Sequence, residues 1–230
     1  TLTGRRENGR VKIVMNATTQ RPTADVVANV AGLSGQYTLI YDFLGVNNGT
    51  INGIDFVGIR GNNTSIPSAK ANLIVGSFVA VNNGLIDEVK FVNQGIAQWT
   101  LNSVTGVSDI SVGAIAGISV GNNNKQVGGQ TIYSGIRTVA YVGISKMWFK
   151  TAQSNGMMAM GGIAGALDGS AIIQSSVFSD NSIYFDITNP TNNNIFVGGA
   201  VGIANADPDK SNLYFLGNAV RSTAVTMLVW

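Results

Sequence analysis

The chain has 230 residues, 45% of them hydrophobic and only 11% charged, with a formal net charge of +2. It contains no Cys and no His, which excludes disulfides, Cys/His zinc sites, cysteine nucleophiles and any Ser-His-Asp triad. So small a charge does not by itself imply a nucleic-acid partner, and no run of 18 apolar residues is present to span a bilayer as a helix.

Residues 1–36 read as an N-terminal cap or arm. Arg5, Arg6, Arg10, Lys12 and Arg21 crowd this stretch against Glu7. A solvated arm is the plain reading, with phosphate binding as the alternative. A chain that begins at Thr1 rather than Met reads as a processed product or an excised domain.

Residues 37–220 repeat themselves. "IYDFLGVNNGTINGIDF" (40–56) returns 35 residues later as "VGSFVAVNNGLIDEVKF" (75–91). "VGAIAGISVG" (112–121) matches the first half of that template, and "SGIRTVAYV" (134–142) matches the second half after an insertion. "MGGIAGALDGSAIIQSSVF" (160–178) is a further copy, and "VGGAVGIAN" (197–205) opens one more. Glycine is plentiful, at 29 residues, and proline scarce, at 4. That balance suits short strands between tight corners. The pairs Asn48-Gly49, Asn83-Gly84 and Asp168-Gly169 are the expected corners, because these residues tolerate left-handed backbone. A third strand is expected in each spacer, in "AQWTL", "SKMWFK" and "SIYFDI". Two-residue antiparallel hairpins are the alternative, but hairpins have no reason to keep so constant a period. A coil that climbs one strand spacing per turn has that reason, since each position must stack on its counterpart.

The expected fold is therefore all-β: a right-handed parallel β-solenoid of about five coils with capping termini, residues 221–230 forming the C-terminal capping strand. Stacking predicts one internal column of Ile51, Ile86, Ile136 and Ile173, and another of Phe56, Phe91, Tyr141 and Phe178. Small residues in "AIAG", "GIAG" and "GAVG" would let strands pack closely. Asn52, Asp87, Arg137 and Gln174 fall in one outward row, with Asp87 and Arg137 as an exposed pair worth at most about 1 kcal/mol.

The repeats in "VGSFVAVNNGLIDEVKF" and "MGGIAGALDGSAIIQSSVF" resemble GLUG-type repeats of bacterial surface adhesins and IgA-peptidase-like proteins, over about residues 40–205. The resemblance implies a surface-exposed β-solenoid and an extracellular, cell-surface location. It carries over no catalytic residues.

Polysaccharide-cutting β-helix enzymes need carboxylates clustered on neighbouring coils. Asp55 aligns with Lys90 and Ala140, and Asp42 with Ser77, Ala114 and Gly162, so no acidic column forms. Asp207 and Asp209 read as a solvated turn rather than a cation site. The echoes of a dinucleotide fingerprint in "GAIAGISVG" and "GGIAGALDG" lack a following helix. No catalytic residue, metal ligand or cofactor is assigned. The candidate ligand residues are aromatic: Trp99, Trp148 and Tyr184 on the third strands, with Lys146 and Lys150 flanking Trp148. An outward aromatic row is a platform for sugar rings or a partner protein; the alternative places the rings in the core or under another chain. The insertion 121–135 contributes Asn123, Lys125 and Gln130 as a second candidate, against a neutral surface loop.

These readings point to a non-catalytic bacterial surface binding module, an adhesin or appendage engaging a glycan or host macromolecule along one side. Homo-oligomers or further domains of a parent chain fit the same pattern. A β-helix lyase or hydrolase, or a structural subunit of a fibre or phage tail-spike, is the alternative.

Overall fold

A computed structural model describes residues 2–3, 11–14, 23–28, 33, 35–57, 64–66, 72–92, 96–101, 109–121, 124–132, 134–151, 156–169, 171–174, 177–187, 194–205, 214–216, 219–221 and 224–229. Every regular element among them is a β-strand. Each repeat walks through four sheets in the same order, and each strand pairs with its counterpart in the next repeat.

Sheet 1 contains Gln36–Tyr41, Asn72–Gly76, Ile110–Gly113, Met158–Gly161 and Ile195–Gly198. Sheet 2 contains Leu44–Asn47, Val79–Asn82, Ala116–Val120, Ala164–Asp168 and Val201–Asn205. Sheet 3 begins with Leu2–Thr3 and continues through Thr50–Asn52, Leu85–Asp87, Gly135–Arg137, Ile172–Gln174 and Tyr214–Leu216. Sheet 4 runs from Val11–Val14 through Ile54–Val57, Lys90–Val92, Ala140–Thr151 and Val177–Ile187 to Ala219–Arg221. Thr64–Ile66, Ile96–Leu101 and Ala224–Val229 widen sheet 4.

All the pairings between repeats are parallel. The expected isoleucine column forms, with Ile51, Ile86, Ile136 and Ile173 in direct register and each at most 2% exposed. Phe56, Phe91, Tyr141 and Phe178 share one register row as well. Leu2 pairs with Ile51 and Ile13 with Phe56, so residues of the N-terminal stretch extend both rows. Thr23–Ala28 lies antiparallel against Gln36–Tyr41 and covers that edge of sheet 1. Ala140–Thr151 and Val177–Ile187 each merge two expected strands into one, with an irregularity between Val142 and Ser145.

The main core is enclosed by the sheets. Sheet 1 alternates strictly: Leu73 and Val75 join the main core while Ile74 turns into a second apolar cluster on the other side. That alternation is the period-2 geometry of a strand. The Phe43, Phe56, Phe78 and Phe91 rings fill the early repeats, with Phe78 centred 4.5 Å from Phe56 and 5.2 Å from Phe91 in edge-on contacts.

The repeated Asn-Asn-Gly has a different role from the one expected of it. Asn47 Nδ2 donates to Asn82 Oδ1 at 2.8 Å, and Asn82 Nδ2 donates to Ser119 Oγ at 3.1 Å and to the Gly135 carbonyl at 3.0 Å. Beside this ladder runs a second rung, from Asn83 Nδ2 to Asn48 Oδ1 at 3.2 Å. An amide both donates and accepts, so equivalent asparagines one strand spacing apart satisfy each other. Gly84 is not left-handed; a Cβ there would stand 2.0 Å from the Gly49 carbonyl oxygen, so close approach excludes a side chain. The left-handed corners lie after the sheet 3 strands instead, at Gly53 (φ 70°), Glu88 (φ 51°) and Thr138 (φ 52°). Gly169 alone of the expected corner glycines is left-handed among the described residues, at φ 62°.

Two stability outcomes follow. Thr138 is β-branched in a conformation that costs an L-residue roughly 1–2 kcal/mol, so Thr138→Gly should raise stability in urea unfolding by up to about 1 kcal/mol once glycine's extra entropy is subtracted. Asn82→Ala strands three partners and should cost about 2–3 kcal/mol at roughly 1 kcal/mol per bond; a loss under about 0.5 kcal/mol, the low end for a single bond, would show that the ladder does not hold the corner.

Candidate functional site

The residues singled out by sequence fall on sheet 4 and on the insertion. On sheet 4, Trp148 is in register with Tyr184, Lys150 with Asp186 and Lys146 with Ser182. Gln98 is the partner of Trp148, and Trp99 pairs with Phe149. Trp99 thus belongs to the row of Phe149 and Phe185, one position away from the Trp148–Tyr184 row. Successive strand positions alternate between faces, so the backbone brings two of the three aromatics together and separates the third. The side chains of these residues lie outside the described set.

The insertion is a small hairpin. Lys125–Val127 pairs antiparallel with Gln130–Ile132, and Gly128 (φ 58°) and Gly129 (φ 79°) form its exposed tip. Two consecutive positive φ values are what a two-residue hairpin turn of type I′ requires. Asn124 Oδ1 closes the base, accepting from the Ser134 N–H at 2.9 Å and the Ser134 hydroxyl at 3.2 Å. Lys125 and Gln130 hold paired-strand positions in this hairpin; Asn123 lies wholly outside the described residues.

Asp87 and Arg137 meet at 2.6 Å, and Asn52 Nδ2 donates to the same carboxylate oxygen at 3.3 Å. The pair is not the fully exposed one expected: the Asp87 side chain is only 8% exposed against 40% for Arg137. The bond to Asp87 raises the Arg137 pKa above its ordinary value. Stacking Asn52, Asp87 and Arg137 in one row makes this a bridge between three repeats.

Sequence reasoning missed a half-open cleft of about 170 Å³ in the angle between sheets 1 and 2. The chain makes this angle sharp by pressing the sheets together. At Gly113, an added Cβ would sit 1.9 Å from the Ala116 carbonyl oxygen, and at Gly165 it would lie 2.5 Å from both Ser111 Oγ and Val112 N. Ser111 Oγ also donates to the Gly117 carbonyl at 2.7 Å, pinning one sheet to the other. The cleft's apolar wall comes from Ile74 on sheet 1 and Ile118 on sheet 2. Its polar end gathers Tyr37, Asn72, Asp109 and Asp168 from four different repeats. Only the register gave this grouping away: Tyr37 pairs with Asn72, and Asp109 precedes the next strand of the same sheet.

Backbone amides hold the acids in place. Asp109 Oδ1 accepts from the Met157 N–H at 2.9 Å, and Asp168 Oδ1 from the Gly169 N–H at 2.9 Å. Asn72 Oδ1 accepts from the Asp109 N–H at 3.3 Å, which leaves its NH₂ to face the Tyr37 oxygen. Burial raises the Tyr37 pKa; the Asn72 hydrogen bond acts in the opposite sense, and the charges of Asp109 and Asp168 add to the rise. No group of three or more potential metal ligands occurs among the described residues.

No protein-family model, no curated protein and no solved structure matches the chain. No helix among the described residues is long and apolar enough to cross a membrane.

The raised Tyr37 pKa has a defined pH signature. The folded state holds this proton more tightly than the unfolded chain does, so the associated stability is present below the unfolded tyrosine pKa, near 10. It is lost as pH rises through the folded pKa. Alkaline spectrophotometric titration should show a component that ionises above the ordinary tyrosine range, and Tyr37→Phe should remove that component. Persistence of the late component in the variant would assign it elsewhere.

Proposed function

We propose that the chain is a right-handed β-solenoid of about five coils, capped at both termini, that serves as a non-catalytic binding module on a bacterial surface. In this reading, sheet 4 is the working side and engages a glycan or a host macromolecule. The all-β architecture with counterpart strands stacked in parallel supports the solenoid, because successive repeats supply strands to the same sheets in the same order. Such a scaffold presents long, flat sides and favours many shallow contacts over one deep pocket.

The observation that carries the binding assignment is the register of Trp148 with Tyr184 on the two longest strands of sheet 4. Two aromatic positions on neighbouring strands stand about 4.8 Å apart, close enough to contact one sugar ring or adjacent rings of one chain. Lys150 and Asp186 pair two positions further on along the same two strands, adding donors and acceptors beside the platform. Lys146 flanks it on the other side.

The test is a glycan array probed with the intact chain and with Trp148→Ala and Tyr184→Ala. Each substitution should reduce binding roughly tenfold, since a ring stacked on a ligand contributes on the order of 1–2 kcal/mol. Unchanged binding in both variants removes the aromatic platform. Release of reducing ends or unsaturated products from a polysaccharide panel would instead favour a lyase or hydrolase.

A further inference from the structure

We propose that the cleft between sheets 1 and 2 is a recognition site for an alkylammonium group, the chemistry shared by a lysine side chain and a free aliphatic amine. This site lies on other sheets than the Trp148–Tyr184 row, and its assignment does not rest on that row.

The first argument is charge. Among the described residues, the ionisable ones lining the cleft are Tyr37, Asp109 and Asp168, with no lysine or arginine. An anionic ligand is repelled. A neutral polyol leaves both carboxylates of this half-buried space without a cation among the described lining residues. An ammonium group neutralises them and supplies three donors to an acceptor-rich site.

The second argument is the orientation of the polar groups. Asp109 and Asp168 each commit Oδ1 to a backbone N–H. Their Oδ2 atoms make no hydrogen bond within the described residues. Tyr37 is 7% exposed and receives the Asn72 amide, so its oxygen is already engaged as an acceptor. The site is thus rigid before any ligand arrives: backbone amides fix the acids, a buried ring fixes the hydroxyl, and the Oδ2 atoms remain to accept.

The third argument is shape. Ile74, Ile118 and Met157 form an apolar wall next to the carboxylates. A methylene stem lies along such a wall while its charged head reaches the polar end, as lysine stems do on protein surfaces. A space of about 170 Å³ suits a short alkyl chain with its head group, whether free or projecting from a larger partner.

Isothermal titration calorimetry at low salt would use n-pentylamine and Nα-acetyl-lysine amide, with 1-pentanol and a methyl glucoside as neutral controls. Both amines should bind, the neutral controls should not, and added salt should weaken binding. Binding of the lysine amide at least as tight as that of pentylamine identifies a protein partner's side chain as the source; binding of pentylamine alone identifies a free amine. Asp109→Asn and Asp168→Asn keep the oxygen that accepts the backbone N–H and should each lower affinity about tenfold, the effect of removing one charge-assisted hydrogen bond. Ile118→Lys, which tethers an ammonium at the mouth, should block both amines while circular dichroism still reports a folded chain. Equal binding of pentanol and pentylamine, binding of the glucoside in place of the amines, or unchanged affinity in both Asn variants would overturn the proposal.

Discussion

Parallel in-register stacking is the constraint on which everything else in this protein depends. Each residue must tolerate its counterpart about 4.8 Å above and below. Apolar rows meet that demand readily, as Ile51, Ile86, Ile136 and Ile173 do. Polar rows meet it only if the side chain complements itself. Asparagine does, and the Asn47–Asn82–Ser119 ladder is the result. A repeated carboxylate does not; in the row of Asn52, Asp87 and Arg137 a single acid is set between an amide and a guanidinium. The low charge content of the chain is a consequence of the same rule.

The second constraint acts where sheets 1 and 2 meet. Glycines let the sheets approach until the backbone of one touches that of the other; the sheet 1 row departs from glycine at Tyr41 in the first repeat, and the sheet 2 row at Ala80 in the second. Close contact on the inside opens an angle on the outside. The second apolar cluster, around Leu39, Ile74 and Val81, fills part of that angle. Tyr37 and Ile74 of that cluster also line the cleft, together with Asp109 and Asp168 from separate repeats. Packing and chemistry are therefore coupled: residues that close the core also shape the site.

Several elements depart from the repeat. The hairpin at Lys125–Ile132 interrupts one corner without disturbing the register on either side, because Ser134 and Asn124 close its base and Gly135 resumes the pairing with Leu85. Asp109 and Asp168 are further departures, each present in one repeat and not in the next. On sheet 4, Trp148 and Tyr184 share a row in which the preceding repeat has Gln98 and the following strand Thr226.

Much of the architecture was legible in the residue order alone. The period located the repeats, and the columns of Ile51 and Phe56 followed from it, because identical spacing in a stacked structure forces equivalent positions together. The candidate aromatic row was legible only in part: Trp148 and Tyr184 register together, whereas Trp99 falls one position off, and a single-residue offset exchanges the faces of a strand. The left-handed corners at Glu88 and Thr138 were not legible, since neither residue type favours that conformation and only the surrounding coils hold it. Nor was the cleft, whose Tyr37, Asn72, Asp109 and Asp168 come from four separate repeats. Periodicity reports what recurs, and so it determined the rows by itself; the angle between two sheets, and the non-recurring acids it gathers, depend on contacts between distant segments that only the tertiary structure decides.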